Sequence, residues 1–175
     1  FVQAAWYGAY FLMAVPSGWI ARKFGYKGGI LSGLFIVLAG SLLFVPITRI
    51  TGSTSVVFSF FLAALFVVAS GLTFLETIAN PYTTVLGPVS SGVARINLAQ
   101  SLNAVGWILG PVIGGSFILS DTETINTSNY ALYQPYLLVA SIVAVMITVF
   151  IFAPIPDLPA EQEAKAASDG KTHEK

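Results

Sequence analysis

The residue with the clearest potential for chemistry is Glu76, which lies in a long apolar stretch of a chain with only 9% charged residues. Asn80 follows one helical turn later, so both side chains project from one face of a helix. Pro81 comes next and lacks an N–H, which leaves a backbone carbonyl of the preceding turn without a donor. A carboxyl, an amide and a free carbonyl suit hydroxyl-bearing ligands, although Asn80-Pro81 is equally compatible with a helix end.

Apolar surroundings favour the neutral, protonated form of a carboxyl group. Glu76 is therefore a candidate to load and release a proton, because acids within apolar spans usually mark ion or substrate pathways. The alternative is a structural role, in which a protonated Glu76 hydrogen-bonds a neighbouring helix. Of the two, we favour proton coupling.

A second polar stripe comprises Asn97, Gln100 and Asn103, which recur every third residue on one helix face, with Trp107 a turn further on. Amide groups hydrogen-bond sugar hydroxyls, and an indole ring stacks on the apolar face of a sugar. The stripe is therefore a candidate substrate-binding surface, with Asn103 its deepest amide. Hydrogen bonds between helices explain the amides equally well.

Membrane-spanning helices must position these groups, because 55% of the residues are hydrophobic and the mean hydropathy is +0.80. A spanning helix needs about 20 apolar residues, and five stretches qualify, at about 1–21, 28–47, 56–86, 94–119 and 136–155. We therefore predict an all-α membrane protein in contact with the lipid bilayer. Aromatic residues near the start of the first span either line a substrate path or anchor at the membrane interface: Trp6, Tyr7, Tyr10 and Phe11.

Basic residues fall almost entirely on one side of the predicted spans: Arg22, Lys23, Lys27, Arg95, Lys165, Lys171 and Lys175. Only Arg49 falls on the other side, so the positive-inside rule places the first side in the cytoplasm. The first span then runs inward, and the polar segment 157–175 is a cytosolic tail or linker. An odd number of spans that starts outside is expected of a chain whose first helix lies upstream.

Several function classes are excluded by composition. The chain has no cysteine, and its single histidine, His173, lies in the polar tail, so no metal site is expected. The formal net charge is zero, which argues against nucleic acid as a partner. Because the spans offer no nucleophile–base pair, we expect no enzyme. No cofactor is expected either, apart from the proton as a coupling ion.

Small residues recur every four positions after the amide stripe. Gly106, Gly110 and Gly114 follow this spacing, and Pro111 and Gly115 join them. This spacing lets two helices approach closely, so the glycines are predicted to serve helix packing.

Three stretches together resemble the fucose–proton symporter family of the major facilitator superfamily. "LETIANPYTTVLGP" (75–88) is similar to that family's fourth-helix signature, and "RINLAQSLNAVGW" (95–107) to its fifth-helix signature. "YGAYFLMAVPSGWIARKFGYKGG" (7–29) is similar to its second helix and the following cytosolic loop. The resemblance covers the whole chain except the tail.

The resemblance implies helices two to six of a twelve-helix transporter, which is part of its N-terminal half. It implies proton-coupled import of a monosaccharide by alternating access, with Glu76 and Asn103 in the central cavity. The missing partners would be the first helix, which carries a second acid in the family, and the C-terminal half. The implied location is a plasma membrane, and we expect a bacterial inner membrane.

Two features depart from the pattern that the resemblance implies. In the cytosolic loop, which also contains Lys27, Gly18 and Gly25 match, but Arg22 and Lys23 replace the usual acidic and basic pair. "GWILGPVIGG" (106–115) resembles a motif of proton-coupled antiporters. A facilitator or an antiporter on the same fold therefore remains the alternative to a symporter.

Overall fold

The computed structural model describes residues 1–47, 53–119 and 134–154. Its helices are α1 (Val2–Ile47), α2 (Thr54–Val85), α3 (Gly92–Leu119) and α4 (Gln134–Phe152), with a 3-10 turn (Val89–Ser91) before α3. Within these ranges, all four helices are long and apolar enough to cross a membrane. The predicted tail, 157–175, and Arg49 lie outside the described residues.

Helix α1 contains two of the predicted spans. A straight helix of 46 residues would be about 69 Å long, more than twice the roughly 30 Å of a hydrocarbon core. Gly25 interrupts it with φ 73° and ψ 177°, a backbone conformation that glycine adopts without a Cβ clash. Trp6 packs against a cluster that contains Phe44 and Ile47, so the two halves of α1 run antiparallel.

The expected cytosolic loop between these two spans is therefore much shorter than the sequence suggests. Helical backbone continues on both sides of Gly25, and only this residue leaves the helical conformation. Arg22, Lys23 and Lys27 consequently lie on helical turns that flank a tight reversal.

Closely packed glycines join the second half of α1 to α2. A Cβ at Gly71 of α2 would lie 2.6 Å from the Val37 backbone nitrogen and 2.8 Å from the Gly33 carbonyl oxygen. A Cβ at Gly40 would lie 2.8 Å from the Val68 backbone nitrogen. These distances leave no room for side chains, so the two backbones pack directly against each other, as small residues allow in membranes.

Two apolar clusters surround this contact. The larger one joins α1, α2 and α4 and comprises Ile30, Leu34, Val37, Phe74, Ile78, Tyr82, Val143 and Ile147. The smaller one lies near the other end of these helices and comprises Phe44, Ile47, Ala64 and Leu65. Phe44 stacks on Tyr136 of α4 with ring centroids 3.6 Å apart. Helix α4 thus packs against α1 in two places, through Val143 and Ile147 in the larger cluster and through Tyr136 beside the smaller one.

The basic residues gather at one end of the bundle. Lys27 donates hydrogen bonds of 2.9 Å to the carbonyls of Ile151 and Ala153 at the end of α4. The neighbouring Tyr26 packs against Tyr82 near the end of α2, with centroids 4.9 Å apart. The α1 reversal and the C-terminal ends of α2 and α4 therefore lie on the same side, as the positive-inside assignment requires.

Helix α2 does not end at Asn80-Pro81, which was one of the two interpretations of that pair. It continues through Pro81 to Val85. Because Pro81 cannot donate to the residue four positions earlier, the carbonyl of Thr77 lacks its usual helical donor. Thr77 follows Glu76 directly in the chain.

Candidate functional site

Glu76 lies on α2 and accepts a hydrogen bond from the first half of α1. The donor is the Tyr10 hydroxyl, 3.2 Å from Glu76 Oε1. Tyr10 is itself packed against Trp6, one turn earlier, with ring centroids 6.3 Å apart. The Glu76 side chain is exposed on the surface formed by the described helices. The acid therefore faces a space beside α1 and α2 and is held by one phenol.

The two polar stripes meet one turn beyond Glu76. Gln100 Nε2 of α3 donates a hydrogen bond of 3.0 Å to Asn80 Oδ1 of α2. Asn80 lies four residues after Glu76, on the same side of α2. We call Tyr10, Glu76, Asn80 and Gln100 the polar cluster; it joins three helices through side-chain hydrogen bonds.

The remaining predicted substrate residues extend from this cluster along α3. Asn97 and Asn103 lie one turn before and one turn after Gln100, and both are exposed. Trp107 follows one turn after Asn103 with 66% of its surface exposed. The described helices thus bring Glu76, Asn80 and Gln100 together. Three residues on the same helix as Gln100 are exposed and form no hydrogen bond with Glu76 in the described structure: Asn97, Asn103 and Trp107.

The depth of the cluster agrees with a site inside the bilayer. Glu76 lies nine residues before the end of α2, or about 14 Å along the helix axis. Gln100 lies eight residues after the start of α3, or about 12 Å. Both helix ends belong to the side with the basic residues. Since a hydrocarbon core is about 30 Å thick, the cluster lies near the middle of the span.

Charge is sparse around the site. The described ranges contain one acid, Glu76, and four basic residues, Arg22, Lys23, Lys27 and Arg95. Within them no three His, Cys, Asp or Glu side chains come together as a metal site would require. A carboxyl beside amides and a phenol can exchange a proton and hydrogen-bond hydroxyl groups, which is the chemistry that this arrangement offers.

Arg95 holds the junction between α2 and α3. Its Nε and Nη2 donate to the carbonyls of Thr83 and Thr84 at 2.9 and 2.5 Å. Its Nη1 donates to the Pro88 carbonyl at 3.2 Å and to Ser91 Oγ at 2.6 Å. The guanidinium thereby satisfies carbonyls at the C-terminal end of α2, where a cation is favourable. This clamp sets the relative position of the helices that carry Asn80 and Gln100.

The predicted cytosolic loop residues take different positions. Lys23 lies 5.0 Å from the Trp19 ring centroid and 5.3 Å from that of Phe24, which is cation–π geometry. Arg22 is exposed, and a Cβ at Gly18 would meet no described atom within 4 Å. Lys27 caps α4, as described above.

The predicted packing glycines of α3 contact no helix in the described part of the chain. A Cβ at each would meet nothing within 4 Å, which holds for Gly106, Gly110, Gly114 and Gly115. Pro111 lies between them inside α3 and is also exposed. Among the described residues, the glycines at which two helix backbones approach closely lie between α1 and α2.

The sequence matches the Major Facilitator Superfamily over residues 1–174. The chain belongs to this superfamily. A glucose/galactose transporter of Brucella abortus is 37% identical over 97% of the chain, and an L-fucose-proton symporter of Escherichia coli is 36% identical over 94% of it. The family that the sequence motifs predicted is therefore confirmed.

Two solved structures show the same fold. The crystal structure of the E. coli fucose:proton symporter, FucP, matches with a TM-score of 0.74 at 35% identity, over 89% of this chain and 41% of that chain. FucP in the outward conformation matches with a TM-score of 0.74 at 36% identity, over 90% and 41%. The chain spans about 40% of the length of the curated relatives. The predicted fold class, an all-α portion of the N-terminal half of a major facilitator, is confirmed.

Proposed function

We propose that this chain forms part of a proton-coupled monosaccharide symporter that imports its sugar by alternating access in a bacterial inner membrane. In this role Glu76 carries the coupling proton, and no other cofactor takes part. Asn103, Gln100 and Asn80 contact sugar hydroxyls, with Asn97 and Trp107 at the edges of the binding surface.

One observation carries this proposal. The single acid of the described spans lies near mid-membrane and is hydrogen-bonded to Tyr10, one helical turn from the hydrogen-bonded pair Asn80 and Gln100. A site of this kind provides both a group that can bind a proton and amides that can bind hydroxyls, on adjacent turns of adjacent helices. The relatives named as a glucose/galactose transporter and as an L-fucose-proton symporter support a sugar as the substrate.

The proposal predicts that sugar and protons enter together. Cells that express the full-length gene product are suspended in weak buffer with an external pH electrode, and fucose, galactose, glucose, mannose and N-acetylglucosamine are added in turn. External alkalinisation with one sugar, lost in Glu76→Gln, would support symport and identify the substrate.

The same experiment separates the alternatives. Entry of labelled sugar without a pH change would indicate facilitation and a structural Glu76. External acidification would indicate antiport, the activity associated with the motif at residues 106–115. Membrane levels of the variant are measured in parallel, so that a loss of signal is not a loss of protein.

A further inference from the structure

We propose that Tyr10 is a positioning residue for the proton step. Its hydroxyl orients the Glu76 carboxyl group toward the first half of α1 and thereby keeps proton movement coupled to sugar entry. This role rests on the proposed function, because it requires that Glu76 bind and release the coupling proton.

The geometry supports a donor aimed at the acid. The Tyr10 oxygen lies 3.2 Å from Glu76 Oε1 across 66 residues of sequence. This is longer than the usual 2.7–2.8 Å of a hydroxyl donor, and catalytic hydrogen bonds are often long in structures without substrate. The ring stacks on Trp6, so its orientation does not depend on Glu76 alone.

The helices that carry the pair are firmly positioned. Glu76 lies five residues after Gly71, where α2 packs directly on the backbone of the second half of α1. The first half of α1 packs on the same core through Met13 and Ile20. The distance between the phenol and the carboxyl is therefore set by rigid helices and not by a loop.

Other groups around the acid do not replace Tyr10. On α1, Tyr7 lies one turn before Tyr10 and is exposed. On α3, Gln100 directs its amide hydrogen toward Asn80, and Arg95, the only charged residue in the described part of that helix, binds carbonyls at the end of α2. Helix α4 has no charged side chain within 134–154. None of these groups takes the place of the Tyr10 hydroxyl, which donates to Glu76 Oε1.

A phenol donor fixes the direction of the carboxyl group, because the hydrogen bond requires a Glu76 oxygen to face the first half of α1. Without the hydroxyl, the Glu76 side chain can adopt other orientations. Sugar entry should then be less tightly coupled to the proton gradient.

The test uses the full-length gene product in proteoliposomes, with labelled L-fucose and labelled D-galactose as probes. Uphill accumulation driven by an imposed pH gradient, and exchange of labelled against unlabelled sugar without a gradient, are measured for the wild type, Tyr10→Phe and the matched control Tyr7→Phe. We expect Tyr10→Phe to lower accumulation relative to exchange by roughly two- to tenfold, which corresponds to the loss of one hydrogen bond. Tyr7→Phe should leave the ratio of accumulation to exchange unchanged.

Two results would overturn the role of Tyr10. They are an unchanged ratio of accumulation to exchange in Tyr10→Phe, or the same change of that ratio in Tyr7→Phe. Each assumes that wild-type uptake follows an imposed proton gradient. If wild-type uptake is independent of the gradient, the proposed symport itself fails, and the Tyr10 role fails with it. Circular dichroism and size-exclusion profiles of each variant show whether it is folded.

Discussion

The contact at Gly71 provides a quantitative test of the helix packing. In Gly71→Ala, the new methyl group would lie 2.6 Å from the Val37 backbone nitrogen, whereas ordinary Cβ contacts begin at 3.4 Å. The shortfall is 3.4 Å less 2.6 Å, or about 0.8 Å. Because backbone atoms cannot rotate away, α1 and α2 must move apart and lose contacts along their shared face.

The size of the effect follows from two opposing terms. Overpacking costs about 1–3 kcal/mol, whereas replacing glycine with alanine inside a helix gains up to about 1 kcal/mol. With about 2 kcal/mol for the overpacking and about 1 kcal/mol for the gain, we expect a net loss of about 1 kcal/mol and a fall in Tm of roughly 2–4 °C. Thermal unfolding of the purified full-length gene product in detergent, followed by size-exclusion fluorescence, measures this change.

Gly8→Ala is the matched control, because Gly8 likewise lies inside an apolar helix, α1, and a Cβ there would meet no described atom within 4 Å. Its Tm should equal or slightly exceed that of the wild type. A Gly71→Ala protein as stable as the wild type would refute the close approach of the two backbones. An equal fall in both variants would show that any added methyl group destabilises the protein.

Three further predictions concern the polar contacts. Lys27→Met should lower the Tm more than Lys23→Met, because Lys27 donates to two carbonyls at the end of α4; equal Tm values would argue against this cap. Arg95→Lys should reduce both the Tm and the transport rate, since an ammonium cannot reproduce a planar fork of donors; unchanged values would contradict the clamp. Asn80→Ala and Gln100→Ala should be non-additive by about 0.5–1.5 kcal/mol in a double-mutant cycle of sugar binding; additive effects would indicate that the two amides act independently.

Apolar length and charge were sufficient to predict much of this architecture. Runs of about 20 apolar residues predict spanning helices without any knowledge of the tertiary contacts. The positions of the basic residues predicted that they gather at one end of the bundle. The Lys27 contacts with the end of α4 agree with that expectation. Glu76 could be singled out because an acid in an apolar span is rare.

The sequence analysis did not single out the glycines that pack between α1 and α2. Gly29 and Gly33 have the same spacing of four as Gly106 and Gly110, yet only the first pair lies against α2. The spacing shows that a close approach is possible, but it does not show which helix face meets a partner. To choose between the two glycine pairs, one would have to know how the helices are arranged around the core.

Contacts between distant residues were also beyond the sequence. Tyr10 and Glu76 are 66 positions apart. Tyr10 is also one of several aromatic residues in the same stretch, so the sequence does not distinguish it from Tyr7 or Phe11. The clamp by Arg95 was missed because a basic residue at a helix start was interpreted only as a topology signal. Its contacts depend on the 3-10 turn that brings the end of α2 beside it.

Transport by Glu76→Gln under two regimes is the most direct test of the proposed proton-carrying role of this residue. Proteoliposomes that contain the full-length gene product are assayed for uphill accumulation of sugar driven by an imposed pH gradient, and for exchange of labelled against unlabelled sugar without a gradient. The proposal predicts that the glutamine variant loses accumulation and retains exchange, because glutamine preserves the shape of the site but cannot release a proton. Uphill accumulation in the variant at the wild-type level would contradict it.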